Sequence, residues 1–224
     1  WEDQHRPPAG AGAPAPTTAT KTDVPAAPES TQGVRSATPA AAVPASPVAT
    51  ESAVRIEVST DLFGAVIDTQ GGDLRSVNLR KYPVAVGKPG DPFRLLSDEP
   101  ANFYVAQSGL VGRDGTYPTH KVRFETAQTR YGLEDGKNEL RVPLNFRAPD
   151  GTRYTKIYVF HRDSYVIDVE FRVENASRRA WRGHFYGQLV RHGVEAPGMF
   201  AVPTFTGAAI YTPQDKYQKI PFTD

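Results

Sequence analysis

A repeated alternation of apolar and polar residues with a period of two constrains this chain more than any other feature. Val54, Ile56 and Val58 alternate with Arg55 and Glu57, and Leu140, Val142, Leu144 and Phe146 with Glu139, Arg141, Pro143 and Asn145. Ile167, Val169, Phe171 and Val173 alternate with Asp168, Glu170, Arg172 and Glu174. Trp181, Gly183, Phe185, Gly187 and Leu189 alternate with Arg182, His184, Tyr186 and Gln188. Successive side chains of an extended strand point to opposite faces, so each stretch reads as a half-buried strand, apolar on one face and polar on the other. The breaks are turn formers: Gly71-Gly72-Asp73, Asp114-Gly115, Asp135-Gly136 and Asp150-Gly151. Asp150-Gly151 lies between two strand-like runs, 139–148 and 153–161, and predicts a hairpin. Pro143 lacks an N–H, which puts its strand at a sheet edge or at a bulge. No amphipathic helix longer than two turns emerges. One-sided alternation in several long strands predicts an all-β fold, an antiparallel β-sandwich.

The alternation begins only near Val54. Residues 1–52 are rich in Ala, Pro, Thr and Ser and contain no Leu, Ile or Phe. Such a segment cannot bury enough apolar surface to offset its ordering entropy, so a disordered, semi-extended linker is expected. A flexible coil of this length spans on the order of 40 Å, and the prolines extend it. Its net charge is −2, leaving +3 for the remainder, so it is no polybasic arm for anionic lipid. It serves as a spacer, or as a tether between a membrane anchor and a domain spanning 53–224. The whole chain carries a net charge of +1, which gives no electrostatic reason to expect nucleic acid. It has no cysteine, which excludes disulfides, thiolate metal sites, a cysteine nucleophile and a lipidated cysteine. No apolar run approaches the ~18 residues of a spanning helix.

Catalytic and metal-binding patterns are sparse. His5, His120, His161, His184 and His192 form no pair with metal-ligand spacing. His184 and His192 share strand parity but would lie roughly 26 Å apart. His161 follows Ile157 and Val159 on the inner face, where a packed or rim histidine is expected. Asp168 and Glu170 share a strand face, but Arg172 and Glu174 continue it, so a solvated polar face accounts for all four. Gly109, Gly112 and Gly115 lack the spacing of a dinucleotide fingerprint and read as turn glycines. Asn175-Ala176-Ser177 matches the glycosylation tripeptide, at a strand end where Asn favours a turn. Arg178, Arg179, Arg182 and Arg191, with Trp181, Phe185 and Tyr186, form the densest basic-aromatic stretch. Strand parity divides its aromatics between core and surface, so it is no single-stranded nucleic-acid platform. From the residues alone, the site roster is empty: no catalytic, metal or cofactor-binding residue is assigned.

Several stretches resemble the large periplasmic domain of the YidC/Oxa1/Alb3 family of bacterial membrane protein insertases. They are Tyr104 through Gly115 (YVAQSGLVGRDG), Phe185-Tyr186-Gly187-Gln188-Leu189, Phe205 through Pro213 (FTGAAIYTP), and Lys216-Tyr217. Gly71-Gly72-Asp73 and the run from Lys156 to Asn175 also fit, in the family's order. Trp1-Glu2-Asp3 is similar to the junction where the family's first transmembrane helix gives way to its linker. The resemblance implies a β-supersandwich like that of galactose mutarotases, facing the periplasm and anchored to the inner membrane. It implies insertion and folding of nascent inner-membrane proteins, alone or with the Sec translocon, and contact with the SecD/SecF accessory proteins. The implied contact region is about 185–224, with Phe200, Phe205, Tyr211 and Tyr217 as candidate partner-binding residues, each of which also fits a place in the core. The family's working groove lies in later transmembrane helices, so it carries no insertase site residue and no cofactor onto this chain. The family's domain continues past the position of Asp224, so a C-terminally truncated sandwich with an unpaired edge is expected. The alternative is a periplasmic sugar-binding protein or aldose-1-epimerase-like enzyme. That chemistry needs a His and a Glu converging on a concave sheet face, and no His-x-Tyr-Phe-Asn-like stretch is present.

Overall fold

The computed structural model describes residues 24–25, 53–113, 115–192, 205 and 207–221. The expected linker, apart from residues 24–25, the Trp1 junction, Asp114 and Phe200 lie outside them. Nearly every regular element is a strand. The exception among the described residues is a 3₁₀ turn at Pro100–Asn102.

The larger sheet contains β1 (Arg55–Ser59), β2 (Phe63–Asp68), β3 (Asp73–Pro83), β4 (Pro92–Leu96), β5 (Tyr104–Val111), β6 (Arg130–Gly132) and a later strand, β10 (His184–Arg191). Its order is β10-β5-β3-β2-β1-β6, with β4 also paired to β3. All its pairs are antiparallel except β1 with β6. The smaller sheet is β7 (Glu139–Arg147), β8 (Arg153–His161) and β9 (Ile167–Glu174), in that order and antiparallel. A separate hairpin joins β11 (Gly207–Thr212) to β12 (Lys216–Pro221).

The two larger sheets pack face to face. Ile56, Val58, Phe63, Ile67 and Val77 of one meet Val142, Leu144, Tyr158 and Phe160 of the other in a single buried cluster, with Phe124 from a connecting loop. The fold is therefore the antiparallel β-sandwich that the alternation predicts. The Asp150-Gly151 hairpin is present, with Gly151 at φ +88° and the Ala148 N–H bonded to the Thr152 carbonyl at 2.9 Å. Pro143 sits on β7, an edge strand. Asn145, two residues along, exchanges both backbone bonds with Glu125 on the side away from β8. Pro143 shares that parity, so its missing donor faces outward and costs the ladder nothing.

Two expectations are corrected. In β8 the inter-sheet row is Tyr154, Lys156, Tyr158 and Phe160, because Lys156 and Tyr158 pair across to the core residues Leu144 and Val142. Ile157, Val159 and His161 take the opposite face, where His161 Nε2 meets Asp168 Oδ2 at 2.7 Å on the rim. Both rows of this central strand are apolar, so alternation alone does not say which one faces in. In β10 the predicted row does turn inward: Phe185, Gly187 and Leu189 pair with Leu110, Ser108 and Ala106 and look toward β9, where Phe185 meets the Phe171 ring. Phe185 and Leu189 nevertheless remain 56% and 65% exposed, and the burial of Tyr186 on the opposite face is what the alternation does not foresee. A distant histidine covers Tyr186. The buried His120 donates its backbone N–H to Tyr186 Oη at 2.9 Å and brings its Nδ1 within 2.7 Å of the same oxygen. Gly109 and Gly112 are not turn glycines either. Gly109 lies within β5, where a Cβ would sit 2.8 Å from Tyr186 Oη and from the Pro118 carbonyl oxygen. A Cβ on Gly112 would overlap the Tyr117 ring, and Gly115 alone of the three has a positive φ.

Three further readings hold. Glu170 pairs with Arg141 and Asp168 with His161, as a solvated face requires. Asn175 Oδ1 accepts from the Ser177 backbone N–H at 3.0 Å, closing a turn at the strand end. Trp181 packs on the small cluster of Leu110, Ala148 and Tyr154 and donates its indole N–H to Tyr154 Oη at 3.0 Å.

Candidate functional site

The chemistry of the interior concentrates where the Gly71-Gly72 turn meets β8. Gly71 and Gly72 adopt φ +75° and +59°, a left-handed pair that aims successive carbonyls into the sandwich. Tyr158 Oη donates to the Gly72 carbonyl at 2.7 Å. Lys156 Nζ donates to the carbonyls of Ser108 at 2.9 Å and Gly71 at 3.2 Å. The Lys156 side chain is wholly buried. Its ammonium lies 5.3 Å from the Tyr158 ring centroid and under 6 Å from those of Phe171 and Phe124. Burial lowers its pKa to about 7, and the Asp73 charge opposes that shift. Asp73, at the start of β3, is also buried, and burial raises its pKa. Gln107 Nε2 donates to its Oδ2 at 2.7 Å and holds it partly back. This network joins β3, β5 and β8 across the two sheets. Sequence reasoning missed it. The available signal was a lysine set within the apolar run Tyr154–Phe160.

Above the network lies an open cleft of about 340 Å³. Leu74, Ala106, Ile167, Val169, Phe185 and Leu189 line it, and Ser108 and Tyr158 contribute at its base. Its two walls are β9 and β10, each an edge strand of its sheet. Ser108 and Tyr158 thus belong to both the cleft and the polar network.

The three described contact candidates lie on or next to one element. Phe205 precedes β11, and Tyr211 and Tyr217 are direct cross-strand partners in the β11–β12 hairpin. All three are exposed, at 45%, 65% and 62%, so none is a core aromatic. Lys219 Nζ lies 5.1 Å from the Phe205 ring centroid, and Ile210 and Ile220 are also exposed. The turn is fixed by the Asp215 N–H, which bonds Thr212 Oγ1 at 2.9 Å, and by Lys216 at φ +59°. Among the described residues, the hairpin pairs with no other strand.

The described histidines do not converge. His192 stacks on Phe103 with centroids 4.7 Å apart, His184 is exposed on β10, and His120 is buried beside Tyr186. Among the described residues, no group of three or more His, Asp or Glu side chains is placed to hold a metal ion. No helix there is long and apolar enough to cross a membrane.

A family model described as the YidC periplasmic domain matches residues 55–224, the whole of the sandwich and the hairpin. The chain belongs to this family. Among curated relatives, the membrane protein insertase YidC of Methylobacillus flagellatus is 39% identical over 226 aligned residues, covering all of this chain and 40% of the relative. The YidC insertase of Coxiella burnetii (strain Dugway 5J108-111) is 42% identical over 168 residues, covering 75% of this chain and 29% of the relative. That of Nitrosospira multiformis is 42% identical over 174 residues, covering 77% and 30%. The chain thus spans less than half the length of these relatives. The match to the YidC periplasmic domain includes the network, the cleft and the aromatic hairpin alike.

Proposed function

We propose that this chain is the periplasmic part of an inner-membrane protein insertase and acts there as a non-catalytic scaffold and docking module. The family match over residues 55–224 supports this reading most directly. Residues 1–52 serve as the linker from a preceding membrane anchor, and residues from 53 onward form the docking domain. The whole protein inserts and folds nascent inner-membrane proteins, alone or beside the Sec translocon. The docking partners are the SecD/SecF accessory proteins. Phe205, Tyr211 and Tyr217 form the contact, because large exposed aromatics gain the most from burial by a partner, and Phe200 is assigned to it from the sequence alone. No nucleic acid and no cofactor takes part.

The test is co-purification of the tagged full-length protein from its own cells. Tyr211→Ala with Tyr217→Ala removes two exposed rings and leaves the sandwich core untouched. The expected result is a loss of SecD/SecF from the purified complex at unchanged abundance of the tagged protein. Undiminished co-purification refutes the hairpin as the contact. A saturable mutarotase activity that is lost on His184→Ala would instead favour the sugar-active alternative.

A further inference from the structure

A second concavity lies on the outer face of the larger sheet, away from the cleft and the hairpin. It encloses about 530 Å³ over β1, β2, β3 and β6. The strand register explains its shape. Ser59 of β1 pairs with Gly64 of β2, and Gly64 pairs with Asn78 of β3, so these three residues share one row of the outer face. Gly64 puts no side chain in the middle of that row. A Cβ built there meets nothing within 4 Å. Gly132 of β6 pairs with Ser59 on the other side and keeps that end low as well.

Two arginines reach into this hollow from opposite sides and converge over β1. Arg80, from β3, crosses β2 and donates from Nη2 to Ser59 Oγ at 2.8 Å. Arg130, from β6, places its Nε 3.3 Å from Glu57 Oε2. Glu57 and Ser59 lie on the same face two residues apart, roughly 7 Å along the strand. One guanidinium is therefore held on the Glu57 carboxylate and the other on the neighbouring Ser59 hydroxyl, and one positive charge is left over. On the same sheet, Arg55 pairs with Asp68 and Asp98, and Arg94 with Glu99. Arg80 makes no ion pair among the described residues. A hydroxyl alone orients it, and most of its donor fork is left for a ligand.

We propose that this hollow binds a phosphate group, with Arg80 and Arg130 as its charge-bearing contacts, Asn78 as an additional donor and Gly64 as the open floor. The surplus positive charge matches an anion. A tetrahedral phosphate offers oxygens to two guanidinium groups at once. The volume exceeds that of a phosphate ion, so the group can be free or carried on a larger polar body such as a lipid headgroup. This site does not depend on the docking role proposed for the hairpin.

The test is equilibrium dialysis of the full chain against labelled inorganic phosphate, with two variants. Arg80→Ala removes the uncommitted charge. Gly64→Val fills the floor, at a strand position with room for the side chain and no positive φ. A thermal melt of each variant establishes that it is folded. Saturable binding that weakens at least tenfold in both folded variants supports the site. Absence of saturable binding, or binding that neither variant changes, overturns it. A parallel flotation arm uses vesicles of phosphatidylcholine with and without phosphatidylglycerol. Flotation with the anionic vesicles, lost in Gly64→Val, assigns the phosphate to a lipid headgroup. Phosphate binding without flotation assigns it to a soluble phosphate.

Discussion

Replacing Lys156 with methionine tests the polar network through its pH dependence. Lys156 is buried, and its pKa falls from 10.5 to about 7 in the folded chain. Asp73 is the charge that opposes this shift. The depressed value fixes the sign. Below pH 7 the lysine is charged in both states, and the burial penalty is fully present. Between 7 and 10.5 the unfolded chain holds a proton that the folded chain has released, so stability rises with pH. Above 10.5 both states are neutral and the rise ends. Integrating the proton difference from pH 7 to pH 9, at about 1.4 kcal/mol per pH unit of full difference, gives a gain of about 2 kcal/mol. Lys156→Met keeps the aliphatic stem among Phe124, Tyr158 and Phe171 and removes the titrating group. Its stability at pH 7 also changes, because the Ser108 and Gly71 carbonyls lose a donor, so the slope is the readout. Urea denaturation of both chains at pH 7, 8 and 9 measures it. The original chain should gain about 2 kcal/mol over this range relative to the variant. Parallel stability curves for the two chains would refute the argument.

Two further contrasts separate packing from surface. Gly109→Ala places a methyl 2.8 Å from Tyr186 Oη and the Pro118 carbonyl oxygen and should cost about 1–3 kcal/mol, whereas Gly64→Ala meets nothing and should be neutral or stabilising. Leu144→Ala opens the shared core and should cost about 2–5 kcal/mol, while Leu189→Ala on the cleft wall should stay within about 0.5 kcal/mol. Urea midpoints read at constant slope check both pairs.

Much of the fold is legible in the sequence because burial on one face imposes a period of two. Pro143, the Asp150-Gly151 turn and the polar face of β9 all follow from local chemistry. What was not legible depends on residues far apart in the chain. The choice of inner face in β8 turns on Lys156 reaching carbonyls of Gly71 and Ser108. The burial of Tyr186 on the outer face of β10 turns on His120, 66 residues away. Gly109 reads as a turn former until Pro118 and Thr119 are seen against it. For the candidate contacts, Phe205, Tyr211 and Tyr217 were legible as residues, but their exposure was not. An aromatic on an alternating strand fits a core as well as a surface, and only the missing second layer over the described hairpin separates the two.

Depletion of the full-length protein in its own cells tests the central claim most directly. A newly made inner-membrane protein is followed by protease accessibility as the protein is withdrawn. Insertion should fail on depletion and return when the intact gene is restored. Normal insertion throughout a complete depletion would contradict the insertase assignment.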